Sequence, residues 1–241
     1  MQVRGEVATV AMLFVPGFML DTDLWRDVVP ALSDYGPATY ADLSQDGSIE
    51  AMARRTLMDA PDRFILTGFS MGGYVAREIV RQAPDRVTAL ILIATSARGD
   101  SDVERQRKAV VAGQAAGTAF KGLSRSAILS SLHPDNAGRT DILDRIQAAG
   151  YRMGGDTFRR QSLIERRDER DALASIQCPS LVIAGEEDRL RSRAEALELH
   201  IALVGSSFEV VADTGHMVPM EAPQRLATII REWLAQQKAE A

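Results

Sequence analysis

A chain of 241 residues with 46% hydrophobic and 25% charged residues suits one large α/β domain, or a core domain carrying an insertion, in a soluble globule. Its formal net charge of −5 argues against nucleic acid or an anionic membrane as the natural partner. Cys178 is the only cysteine and there are three histidines, so an intrachain disulfide is excluded and a Cys/His zinc site is disfavoured; nothing demands an oxidising compartment, and a cytoplasmic location is expected.

The apolar run from Val7 to Val15 opens the pattern. Arg4 and Glu6 leave no net positive charge ahead of it and no A-x-A site follows, so it reads as a buried strand, Ala8 to Val15, and not as a signal peptide. No segment reaches the ~18 apolar residues needed to span a bilayer. After Pro16-Gly17 a helix is predicted over Thr22 to Leu32, with Leu24, Trp25, Val28 and Leu32 on one side and Asp21 or Thr22 as its cap. A short strand, Ala38 to Ala41, and a helix, Ser48 to Met58, follow. Arg63 to Thr67 reads as a strand that enters Gly68-Phe-Ser-Met-Gly-Gly73, and Tyr74 to Ala83 as a helix with a stripe at Val75, Ile79, Val80 and Ala83. Val87 to Ala94 is apolar nearly throughout, as a central parallel strand should be.

The alternation then breaks. Asp102 to Gly117, Phe120 to Leu132, Thr140 to Gly150 and Asp156 to Arg167 read as helices with no strand among them. Residues 97–177 are therefore expected to form a helical cap inserted into a core made of 1–96 and 178–241. The β/α alternation resumes with a strand at Ser180 to Ala184, a helix at Arg193 to Val204 and a strand at Phe208 to Ala212. The last helix carries Leu226, Ile229, Ile230, Trp233 and Leu234 on one face, with Pro223 in its first turn. Such alternation predicts an α/β fold, a mainly parallel sheet with helices on both faces.

Strand, glycine-serine-glycine turn and helix together describe a nucleophile elbow centred on Ser70. A bare G-x-S-x-G arises by chance about 0.08 times in a chain of this length, so the flanking strand and helix carry the weight. A serine hydroxyl needs a base and the base needs an orienting acid. Of His133, His200 and His216, only His216 lies in a loop directly after a predicted strand, where active sites of open α/β sheets form. Gly185-Glu-Glu-Asp188 follows the penultimate strand; Asp188 is the choice for the acid, with Glu186, Glu187 and Asp213 as rivals. The backbone N–H groups of Met71 and of Phe18, in the turn after the first strand, are the candidate oxyanion donors. The order Ser70, Asp188, His216 is the one expected of the α/β-hydrolase fold. Met19 and Met217, with Phe18 and Met71, are candidate pocket lining, and Gly17 lies beside them. Arg159, with Arg160, Arg166, Arg167 and Arg170, either reads a substrate carboxylate or forms a solvated helix face.

Through the elbow, Gly185-Glu-Glu-Asp188, Gly215-His-Met-Val-Pro-Met-Glu-Ala-Pro223 and Cys178-Pro179, the chain resembles the α/β-hydrolase superfamily from Val7 to Leu234, and looks closest to small bacterial esterases and lactonases of the 3-oxoadipate enol-lactonase type. Many members begin with an antiparallel hairpin. Too few residues precede Ala8 for one here, so six strands are expected. Most members also have His-Gly at the oxyanion turn where this chain has Pro16-Gly17, which implies a different anchor for that turn. The resemblance implies hydrolysis of a small carboxylic ester or lactone by a monomer or homodimer, with no cofactor, no metal and no membrane or nucleic-acid partner. Lyase, synthase or acyltransferase chemistry with the same three residues is the alternative.

Overall fold

The computed structural model describes residues 10–115 and 120–240. Among them six strands form one parallel sheet: β1 (Ala11–Val15), β2 (Ala38–Tyr40), β3 (Phe64–Phe69), β4 (Val87–Ile93), β5 (Ser180–Gly185) and β6 (Ser207–Val211), in the order β2-β1-β3-β4-β5-β6. Strands β1, β3 and β5 are buried at every position, and β4 at all but Thr88. Covered on both faces, they need apolar residues in succession, which is why they read as unbroken runs in the sequence. The edge strands β2 and β6 are partly exposed and more polar.

One face of the sheet packs on α1 (Ile49–Asp59), α2 (Met71–Gln82) and α6 (Arg193–Ala202) through residues such as Met52, Val75, Ile79 and Leu199. The other packs on α8 (Pro223–Glu240) and the segment around Trp25, with Leu226, Ile230 and Trp233 facing the strands. The chain steps outward from β1 to β2 and then back across to β3. The segments leaving β1 and β3 therefore depart in opposite directions and open a crevice at the carboxyl edge. Val15 pairs with Gly68, so the Pro16-Gly17 turn and Ser70 emerge side by side at that crevice.

Four predicted helices differ in extent or type. The helix expected over Thr22 to Leu32 is instead two 3-10 turns, Thr22–Trp25 and Val29–Leu32. Pro30 supplies no N–H and its ring clashes with a carbonyl four residues back, so an α-helix cannot run through. Asp21 is the cap, accepting from the Asp23 N–H at 3.0 Å. The helix expected over Phe120 to Leu132 shortens to α4 (Arg125–Ser130), which starts where Ser124 accepts from the Ala127 N–H; Gly122, at φ 78°, keeps the preceding chain out of helix. The two helices expected over 140–150 and 156–167 lie within α5 (Thr140–Ser162), which is interrupted at Gly154, non-helical at φ 77° and ψ 170°, and ends at Ser162 instead of reaching 167.

Before α4, α3 (Asp102–Ala115) follows the predicted helix, whose residues 116 and 117 lie outside the described residues, as do residues 8 and 9 of the first strand. Among the described residues between β4 and β5 there is no strand. No helix among them is long and apolar enough to cross a membrane.

Candidate active site

The elbow is forced into shape by its neighbours. Ser70 sits at φ 52° and ψ −115°, a conformation that costs a non-glycine residue on the order of 1–3 kcal/mol and persists only where the surroundings over-determine it. Here the Ser70 N–H donates to the Ile93 carbonyl at 2.9 Å and the Thr95 hydroxyl donates to the Ser70 carbonyl at 2.7 Å. Strand and helix approach so closely that a β-carbon on Gly72 would lie 2.4 Å from the carbonyl oxygens of Val15 and Pro16, and one on Gly68 2.6 Å from the Gly72 oxygen. Only glycine fits at both places.

After β6 the chain turns at Asp213, φ 56°, and delivers His216 to the crevice. The Glu221 carboxylate, in α7 (Val218–Glu221), gathers this loop by accepting from the N–H groups of Gly215 and Met217 with one oxygen. Its other oxygen accepts from the His133 N–H and the Asn136 amide, joining the loop to the segment after α4. The Ser131 carbonyl accepts from the His216 N–H at 2.8 Å. Held this way, His216 has Nε2 2.9 Å from the Ser70 hydroxyl and Nδ1 2.8 Å from Asp188 Oδ2.

Asp188 is buried and held in place. Its Oδ1 accepts from the N–H groups of Leu190 and Arg191, both at 2.8 Å, leaving Oδ2 for the imidazole. An ionised carboxylate only accepts, so His216 Nδ1 carries the proton and Nε2 is free to accept from Ser70. Its rivals Glu186, Glu187 and Asp213 are exposed, and Glu186 accepts from the Asp213 N–H at 3.2 Å. The other histidines serve locally. His200 bonds the Ser206 hydroxyl and stacks on Phe208, while His133 Nδ1 accepts from the Asp135 N–H.

The turn after β1 is anchored by a residue that the sequence did not single out. Met19, at φ 56°, donates its N–H at 2.8 Å to Gln161 Oε1, and Gln161 Nε2 donates to the Leu43 carbonyl at 3.0 Å. Gln161 is 3% exposed and comes from the end of α5, 142 positions along the chain from Met19. The only hint in the sequence was Pro16-Gly17 where the resemblance leads to an expectation of His-Gly.

Ser70, Met71 and His216 open onto a cavity of 1090 Å³, whose described lining includes Phe18, Phe69, Ile128, Ile146, Phe158 and Met217. The Phe18 and Phe158 rings meet edge to face at 5.6 Å. Met19 is fully buried and Gly17 lies against Phe69 and Ser70. Arg159 pairs with Asp156 at 3.2 Å on an exposed face of α5. Neither Met19, Gly17 nor Arg159 is among the described lining residues, but Arg166 is. Among the described residues no group of three or more His, Cys, Asp or Glu side chains is placed to hold a metal ion.

Residues 12–229 match the model of the alpha/beta hydrolase family. The chain belongs to that family. The expected superfamily and the six-stranded α/β-hydrolase fold are both borne out. This hydrolase is 27% identical over 245 residues to the pimeloyl-[acyl-carrier protein] methyl ester esterase of Neisseria meningitidis, a match that covers 94% of this chain and 77% of that protein. Its fold superposes on a thermophilic esterase from Thermogutta terrifontis, solved with malate bound, with a TM-score of 0.83 at 27% identity, covering 94% of this chain and 90% of that one. The enol-lactonase from Burkholderia xenovorans LB400 superposes with a TM-score of 0.81 at 22% identity over 94% and 92% of the two chains.

Proposed function

We propose that this hydrolase cleaves a small carboxylic ester or lactone through an acyl-enzyme on Ser70. The observation that carries this reading is the unbroken line of hydrogen bonds from the Ser70 hydroxyl through His216 to Asp188, opening onto a large, mainly apolar cavity. As Ser70 Oγ attacks the carbonyl, His216 Nε2 takes its proton and Asp188 stabilises the imidazolium that forms. The charge developing on the carbonyl oxygen is met by the Met71 N–H, which at the first position of α2 has no intrahelical partner and stands at the positive end of the helix. The second donor is the Phe18 N–H. His216 then returns the proton to the departing alcohol, and water, activated by the same ring, releases the acid and restores Ser70. The helical segment 97–177 serves as a cap that supplies Ile128, Ile146 and Phe158 to the acyl or alcohol pocket. An esterase and an enol-lactonase among the similar proteins support ester and lactone carbonyls as the target.

A serine-directed fluorophosphonate is expected to phosphonylate Ser70 once per chain, with loss of fluoride, and to abolish ester cleavage; an active enzyme left unlabelled at Ser70 would exclude the mechanism. Cys178 does not compete, because burial pushes its thiol pKa up and keeps it protonated.

The Gln161 clamp provides a second test. Gln161→Met removes both hydrogen bonds while keeping the volume, which leaves two buried backbone groups unpaired at about 1–3 kcal/mol each. The turn that carries Phe18 then loses its register with Ser70, and kcat is expected to fall by about 10²-fold with a smaller change in KM. Steady-state kinetics beside a thermal melt separate lost register from lost stability.

A further inference from the structure

The cavity that holds Ser70 carries a charge opposite to that of the chain. The protein is acidic, with a net charge of −5, yet the described lining of this one cavity holds five cations, Arg107, Lys108, Lys121, Arg166 and Arg191, against a single carboxylate, Glu104.

Neighbouring acids offset only part of this. Lys108 Nζ and Arg166 Nε share one buried carboxylate, Asp100, at 2.5 and 3.3 Å. Arg191 lies 3.6 Å from Glu195, which also caps α6. Glu104 is committed to the N–H and hydroxyl of Ser101. Those hydrogen bonds, the backbone one first, hold its carboxyl below the usual range, so it stays ionised and local. Arg107 and Lys121 are exposed and have no ion-pair partner among the described residues. After Asp100, Glu104 and Glu195 are set against the cations, positive charge remains in excess among the described lining residues, and the exposed Arg107 and Lys121 carry it.

The same cavity is sorted by depth. Phe69, Ile128, Ile146 and Met217 are almost fully buried, whereas Arg107 and Lys121 are exposed. A molecule with its ester at Ser70 and an apolar chain along those side chains would therefore reach the cationic wall with its far end. We propose that the preferred substrates are esters or lactones carrying an anionic group, carboxylate or phosphate, remote from the scissile carbonyl, and that Arg107 and Lys121 select for that group. The proposal rests on the hydrolase reading above. A cleft lined by one sign of charge between low-dielectric walls focuses the field and raises the capture rate of the opposite charge, an effect that salt screens. Guanidinium and ammonium groups both serve carboxylate and phosphate.

The test compares kcat/KM for three methyl esters of equal chain length: a neutral monoacid ester, the dicarboxylic half-ester, and an ester ending in a phosphate. At low ionic strength the wild type is expected to favour one or both anionic esters by about tenfold or more. That ratio should shrink as salt rises from about 20 mM to about 500 mM. The anion that gains more identifies the group. In R107E/K121E the ratio is expected to fall to about one or below. R54E/R225E carries the same change of charge on exposed faces of α1 and α8 and should keep the wild-type ratio. The salt series on wild type decides the matter even if R107E/K121E fails to fold. Equal, salt-insensitive kcat/KM for neutral and anionic esters overturns the charge selection and leaves ester hydrolysis standing. Cleavage of none of the three, with no labelling of Ser70, overturns both.

Discussion

Ser70→Ala is expected to lower kcat toward any ester substrate by at least about 10³-fold and to leave the folded state essentially intact. The two halves of that outcome have separate causes. Activity fails because the atom that His216 Nε2 faces at 2.9 Å is gone. Stability holds because the Ser70 side chain makes no capping bond to α2. The strained backbone at φ 52° is imposed by Thr95, Ile93 and the Gly68–Gly72 approach, which alanine leaves in place. Groups that act as one unit are strongly non-additive, so Ser70→Ala/His216→Ala should be no slower than Ser70→Ala alone. Steady-state rates with a circular-dichroism melt check both halves. Turnover within about tenfold of wild type would remove Ser70 from the mechanism.

Asp188→Asn is expected to cost about 10⁴-fold in kcat with little change in KM. The substitution is nearly isosteric, and the N–H groups of Leu190 and Arg191 demand an acceptor at Oδ1. They therefore fix the amide with its oxygen toward the backbone and its NH₂ toward His216. The imidazole must then accept at Nδ1, which places its proton on Nε2, facing the Ser70 hydroxyl. The ring holds the wrong tautomer to remove a proton from Ser70, although no atom has moved far. Asp188→Ala should be as inactive and also less stable, since it strips the acceptor from two buried N–H groups. An Asn variant that keeps a substantial fraction of kcat would mean that Asp188 only shapes the loop.

The strands and the elbow were legible in the sequence because their causes are local. Buried parallel strands require consecutive apolar residues, and the approach of α2 to β3 at Gly68 and to the end of β1 at Gly72 permits only hydrogen at both. The order of serine, acid and histidine followed from the β/α alternation, since each lies one turn beyond a strand. Element boundaries were less legible. Leu24, Trp25, Val28 and Leu32 keep helical spacing, but Pro30 limits that segment to 3-10 turns. Gly154, non-helical at φ 77° and ψ 170°, interrupts α5 where the sequence divided two helices, but the second ends at Ser162.

By itself, the amino-acid order determined the fold and the three residues from which a serine nucleophile could be built, because apolar periodicity and glycine sterics act over a few neighbouring positions. Only the tertiary structure decided which carboxylate faces His216, that Gln161 anchors the β1 turn, and that Arg107 and Lys121, and not Arg159, are among the described residues lining the cavity. Each of these depends on distances between segments far apart in the chain. Hydrogen bonds and charge pairs act over a few ångströms of space, whatever their separation in sequence.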